Sequence, residues 1–141
     1  GWSFGGFMAL NCILKGNEVF ALAVAVAPVT SWRFYDTIYT ELYNGLPQDN
    51  AAGYDDNSPI FFADRLKGKL LLAHGTGDDN VHIQNSYEMI EQLRVGDLPG
   101  QEPRDGQFAG SFVASCDRVR GGGAVNRSFC LTNYKLPRWR I

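Results

Sequence analysis

The sequence contains no apolar run of the roughly 18 residues that a membrane-spanning helix requires. Its longest such stretch, Phe20 to Val29, has the length of a strand. It holds three cysteines, Cys12, Cys116 and Cys130, too few and too irregularly spaced for a disulfide scaffold or a paired-cysteine metal site. Histidine is scarcer still, at two residues, His74 and His82. Neither a cluster of metal ligands nor a phosphate-cradling glycine loop is visible, so no metal or organic cofactor is implied. A formal charge of −2 over 141 residues leaves no broad basic field, which excludes non-specific nucleic-acid binding. No targeting pattern is visible, and no residue marks a compartment.

What is present suffices for one hydrophobic core, with 45% hydrophobic and 13% aromatic residues. Its charge is unevenly spread. Residues 1–93 carry 5 basic and 11 acidic side chains, whereas residues 94–141 carry 8 and 4, and seven of those eight are Arg. The second part also holds seven glycines and keeps no steady apolar period. Residues 1–93 are therefore expected to form the structured domain, and 94–141 an atypical Arg/Gly-rich tail. A flexible basic linker, an irregular cap and a translated artefact such as a frame shift all stay open for that tail.

The first part alternates between helix and strand patterns. Residues 7–15 are good helix material with Gly16 placed as a C-cap. Phe20 to Val26 suits a strand buried on both faces of a parallel sheet, and Pro28 ends it. Asn44 to Pro59 gathers Gly, Pro, Asn and Asp and predicts a loop. A short helix or turn over Pro59 to Leu66 then leads to a second buried strand, Lys69 to Ala73. Asn80 to Leu93 predicts a helix with Ile83, Tyr87, Ile90 and Leu93 on one face. The alternation argues for an α/β fold with a parallel sheet and flanking helices.

Two motifs carry chemistry. Gly1-Trp2-Ser3-Phe4-Gly5-Gly6 satisfies G-x-S-x-G directly before a helix. Such a turn has no room for side chains at Gly1 and Gly5, and it lifts the hydroxyl of Ser3 clear of the sheet. The backbone N–H of Phe4 would then face a developing oxyanion, and the helix dipole favours the same charge. The second strand runs into His74-Gly75-Thr76-Gly77-Asp78-Asp79-Asn80-Val81-His82. A carboxylate past the carboxyl end of a strand, after the serine in chain order, suits the acid of a hydrolytic triad, and Asp78 is the better candidate. The plainer reading is helix capping, for which Asp79 or Asn80 serves as well. Trp32, Tyr35 and Tyr39, spaced i, i+3 and i+7, fall on one face if this segment is helical, where core packing is the ordinary role.

Both motifs, together with the stretch Val26 to Glu41, resemble the catalytic domain of the dipeptidyl peptidase IV branch of the prolyl oligopeptidase family. The likeness covers residues 1 to about 93, with Gly45-Leu46-Pro47 and Ser58-Pro59 also in keeping. It implies a partial α/β-hydrolase fold, truncated at both ends, with Ser3 as nucleophile and Asp78 as the triad acid. It further implies an aromatic slot for a substrate proline built from Phe4, Val29, Trp32, Tyr35, Tyr39 and Val81. Asn80 would hydrogen-bond the substrate carbonyl near the cleavage site. The implied partners are peptides with a penultimate Pro or Ala, and the implied parent is periplasmic, secreted or membrane-attached and often dimeric. The sequence departs from the family pattern at Phe4, usually Tyr, at Leu42, where Arg is expected, and at Asn44, where Met is expected.

A serine hydroxyl needs a base. The family's histidine follows the acid by a few tens of residues, yet neither His74 nor His82 is in that place, and both belong to the motif around the acid. The segment as it stands is therefore expected to be inactive. Two other readings stay open: another α/β-hydrolase, such as an esterase or an acyl-aminoacyl peptidase, and a non-catalytic homologue acting as a binding module.

Overall fold

The computed structural model describes residues 1–95, 108–115 and 130–131, the last two stretches through their backbone. The order of elements is α1 (Phe4–Lys15), β1 (Leu22–Val26), a 3-10 turn (Trp32–Phe34), α2 (Thr37–Asn44), α3 (Ala51–Asp55), a 3-10 helix (Pro59–Arg65), β2 (Lys69–Gly75), α4 (Gln84–Val95), β3 (Phe108–Ser115) and β4 (Cys130–Leu131). The four strands form one sheet in the order β1-β2-β3-β4. β1 pairs with β2 in parallel from Leu22↔Lys69 to Val26↔Ala73. β3 pairs with β2 in parallel, and β4 closes antiparallel on β3. β3 and β4 arise from within residues 94–141 and occupy the edge of β2 that β1 leaves unpaired; the rest of that tail lies outside the described residues.

One face of the sheet carries the main core. Leu10, Ile13 and Leu14 of α1, Ala23 and Ala25 of β1, Leu70 and Leu72 of β2, and Met89 and Leu93 of α4 bury together with Ile60, Ala63 and Leu66. Helices on that side make the sheet alternate in and out. The expectation that β1 is buried on both faces is thus corrected, because Leu22, Val24 and Val26 are exposed on the opposite face. No helix among the described residues is long and apolar enough to cross a membrane.

Three local expectations also change. α1 starts one turn earlier than residue 7, at Phe4, because Gly5 and Gly6 continue the helix out of the serine turn. The predicted loop from Asn44 to Pro59 contains α3, whose first turn is closed by the Asn50 side chain accepting from the Gly53 N–H. α4 begins at Gln84, so neither Asp79 nor Asn80 caps it. Its buried face is Asn85, Ser86, Met89 and Leu93, with Ile90 packed against the core, while Tyr87 of the expected face is exposed, because the two polar side chains are drawn inward by hydrogen bonds to Thr30 and His74.

Candidate active site

Ser3 sits between an extended residue and a helix. Trp2 bridges Val26 in parallel on the free edge of β1, and the Ser3 N–H donates to the Val26 carbonyl at 2.9 Å. Its backbone has φ 54°, a conformation that an L side chain rarely adopts, which costs about 1–3 kcal/mol. Although Ser3 holds the N-cap position of α1, where a serine ordinarily bonds the first turn, its hydroxyl makes no cap hydrogen bond. The Phe4 N–H lies in the first turn, where no preceding helical carbonyl can accept it.

The glycines around Ser3 divide differently from expectation. A Cβ at Gly1 would lie 2.2 Å from the Gly5 carbonyl oxygen, so Gly1 is required. A Cβ at Gly5 would meet nothing within 4 Å, whereas one at Gly6 would lie 3.0 Å from both Pro28 Cβ and the Val26 carbonyl oxygen. Close packing of α1 on the end of β1 therefore demands glycine at position 6 rather than at 5.

Asp78 lies in the loop after β2, with its side chain one-quarter exposed. Its Oδ1 accepts the N–H groups of Asn80 and Val81, each at 3.0 Å. This turns the loop locally, so that Asp78 closes a short turn instead of starting α4. Its Oδ2 lies 3.6 Å from His74 Nε2. His74 is buried, with Nδ1 at 2.7 Å from Ser86 Oγ and Nε2 at 2.8 Å from the Val81 carbonyl oxygen. A carbonyl can only accept, so Nε2 carries the proton and Nδ1 accepts from Ser86. Burial lowers the affinity of this imidazole for a second proton, opposed in part by the Val81 carbonyl and Asp78. With both nitrogens engaged, His74 braces the loop. His82 is exposed.

The aromatic residues come together, but not along one helix. Trp32 stands in the 3-10 turn, Tyr35 follows it in extended backbone, and Tyr39 belongs to α2, started by the Asp36 side chain accepting the Tyr39 N–H at 2.7 Å. The predicted single helical face is thus corrected: a turn and a helix start bring the rings together. Trp32 stacks on Tyr39 at 6.1 Å between centroids with 22° between planes, and Tyr35 meets both edge-on. Phe4 joins this group through Trp32 at 6.3 Å and Phe7 at 5.4 Å. Val29, Trp32 and Val81 share a buried cluster with Phe7 and Tyr54, against which Tyr35 packs. The Tyr35 hydroxyl donates to Asn80 Oδ1 at 3.0 Å, which ties the aromatic wall to the acid loop and leaves the Asn80 amide nitrogen as donor.

The structure thus links Phe4, Val29, Trp32, Tyr35, Tyr39, Asn80 and Val81 in one region, with Ser3 next to Phe4 in the chain and Asp78 bonded to the backbone of Asn80 and Val81. Sequence reasoning missed Phe7, Tyr43 and Tyr54. Phe7 falls one turn after Phe4, so the i, i+3 spacing on α1 was the available signal, and Tyr43 meets Tyr39 at 4.8 Å between centroids, the rings tilted by 54°, by the corresponding i, i+4 spacing on α2.

The model of the prolyl oligopeptidase family matches residues 1–104. The chain belongs to the prolyl oligopeptidase family. Within that family it is 47% identical over 107 residues to a protein named dipeptidyl-aminopeptidase B from Pyrenophora teres f. teres, covering 74% of this chain and 12% of that protein. It is 52% identical over 101 residues to the protein of the same name from Paracoccidioides brasiliensis, covering 70% and 11%. The crystal structure of Porphyromonas gingivalis dipeptidyl peptidase 4 superposes with a TM-score of 0.71 at 40% identity, over 80% of this chain and 15% of that one. The chain therefore spans about one-eighth of the length of these family members. The sheet, α1 and α4 are an α/β-hydrolase arrangement, as in that structure.

Proposed function

We propose that the protein carrying this chain is a serine dipeptidyl peptidase that releases N-terminal dipeptides ending in Pro or Ala. Ser3 Oγ attacks the carbonyl carbon after the second residue, and its proton passes to a histidine that these 141 residues do not contain. The Phe4 N–H stabilises the oxyanion of the tetrahedral intermediate. Collapse breaks the peptide bond, the leaving amine takes the proton, and water then hydrolyses the acyl-enzyme. Asp78 orients the histidine through Oδ2, since Oδ1 is held by backbone N–H groups.

The observation that carries this reading is the Tyr35–Asn80 hydrogen bond, which joins to the acid loop the aromatic wall that Phe4, the residue after Ser3, contacts through Trp32. Flat rings suit a pyrrolidine, and the Asn80 amide nitrogen suits a carbonyl next to the cleaved bond. The test is hydrolysis of Gly-Pro and Ala-Pro anilides by the full-length protein. Turnover should be lost in Ser3→Ala by about 10⁴-fold or more, as for other activated serines. Cleavage of simple esters with no turnover of X-Pro anilides would favour a general esterase instead.

A further inference from the structure

Residues 28–31, which precede the 3-10 turn bearing Trp32, belong to no strand or helix, so the backbone donors here must be met from elsewhere. Side chains meet them. Asn85 Oδ1 accepts the Thr30 N–H at 2.9 Å and the Ser31 N–H at 3.4 Å, and Ser58 Oγ accepts the Trp32 N–H at 3.0 Å. Thr30 Oγ1 returns a bond of 2.7 Å to the backbone carbonyl of Asn85. The other end of the same amide, Asn85 Nδ2, donates to the His82 carbonyl at 3.1 Å, one residue beyond Val81. Asn85 and Thr30 are both fully buried, so these bonds have no water to replace them.

A single side chain on α4 therefore holds two loops at once. One carries Val29 and Trp32, the other Asp78, Asn80 and Val81, and Val29 and Val81 meet in the same buried cluster. We propose that Asn85 is a positioning residue that fixes the spacing between the aromatic wall and the acid loop, and so sets the width of the slot that selects the residue before the cleaved bond. The proposal rests on the peptidase reading above. A narrow apolar slot separates side chains by fit, and a small displacement of one wall affects a rigid proline ring more than an alanine methyl.

The experiment measures kcat/KM of the full-length protein on Gly-Pro and Gly-Ala anilides, beside labelling of Ser3 by a small fluorophosphonate that does not depend on the slot. Asn85→Leu, close in volume, leaves the Thr30 and Ser31 N–H groups unpaired and is expected to lower the Pro-to-Ala preference about tenfold while labelling persists. Thr30→Val removes only the returning hydroxyl and is expected to lower the preference about threefold, with Thr30→Ser restoring it. An unchanged preference, with both substrates losing rate together, would show that Asn85 merely supports the fold and would overturn the proposal. If Asn85→Leu does not fold, the two Thr30 variants decide by the same criterion. A parent protein that labels at Ser3 yet cleaves neither anilide overturns the peptidase reading and this proposal with it, an outcome distinct from parent turnover with unaltered preference in the variants.

Discussion

Two residues show how local geometry is diverted from its ordinary use. Ser3 occupies an N-cap without capping, at a positive φ, so the strain of the turn is compensated by the bond to Val26 and by α1 packing on β1. His74, beside the acid and buried, is held in one tautomer by Ser86 and Val81. Its folded pKa lies below the ordinary 6.5, so the unfolded chain binds the proton more readily. The sign follows: the contribution is full above the ordinary 6.5 and is lost as the pH falls from there through the lower folded value. Urea midpoints of the full-length protein measured from about pH 8 to pH 5 should decline on the acid side, and His74→Gln, which keeps an N–H for Val81, should decline less steeply. Equal slopes would remove His74 from the acid response. The placement of Ser3 between strand and helix, and of Asp78 in the loop after β2, was legible in the sequence because their motifs adjoin apolar strand and helix patterns. The bracing role of His74 was legible only in outline, since its partner Ser86 lies twelve residues away on another element.

Elements were legible where an apolar period had one interpretation, and not where tertiary bonds decided. β1 and β2 both appear as short apolar runs, and the structure keeps them within two residues of their expected ends. The face of α4 kept Ile90 and Leu93 as expected but lost Tyr87 to solvent, because Asn85 and Ser86 are polar and only their bonds across to Thr30 and His74 explain their burial. The aromatic stripe resembled one helical face because Asp36 starts α2 just after Tyr35, a break that spacing alone does not reveal. The contact of α1 with β1 gives a paired prediction. Gly6→Ala pushes a methyl to 3.0 Å from Pro28 and from the Val26 carbonyl, and is expected to destabilise by about 1–3 kcal/mol and to slow Ser3 labelling. Gly5→Ala meets open space within a helix and is expected to stabilise by up to about 1 kcal/mol. Denaturant midpoints and labelling rates on the full-length protein distinguish the two, and equal effects would contradict the packing account.

At the scale of the whole molecule, and among the described residues, one face of the sheet packs against helices, whereas on the other the side chains of β1 are exposed and those of β2 only half-buried. Leu22 is 61% exposed, Val24 39% and Val26 37%, with Trp2 at 70% beside them. The layer count was not legible in the sequence, because an apolar strand such as β1 fits a sheet covered on one face or on both. The 141-residue chain produced by itself is expected to self-associate through this face, seen by sedimentation, and Val24→Thr should weaken the association. A monomer at all concentrations would show that the face is tolerated in water. The pairing of β1 with β2 has a further consequence for how the site could be watched. Val26 and Ala73 are register partners, and their carbonyls receive the N–H groups of Ser3 and Ala27 respectively. The two amides thus hang from neighbouring rungs of one ladder, so in deuterated solvent they should exchange together. A single opening rate for both would time the separation of the serine turn from the sheet, independently of any substrate.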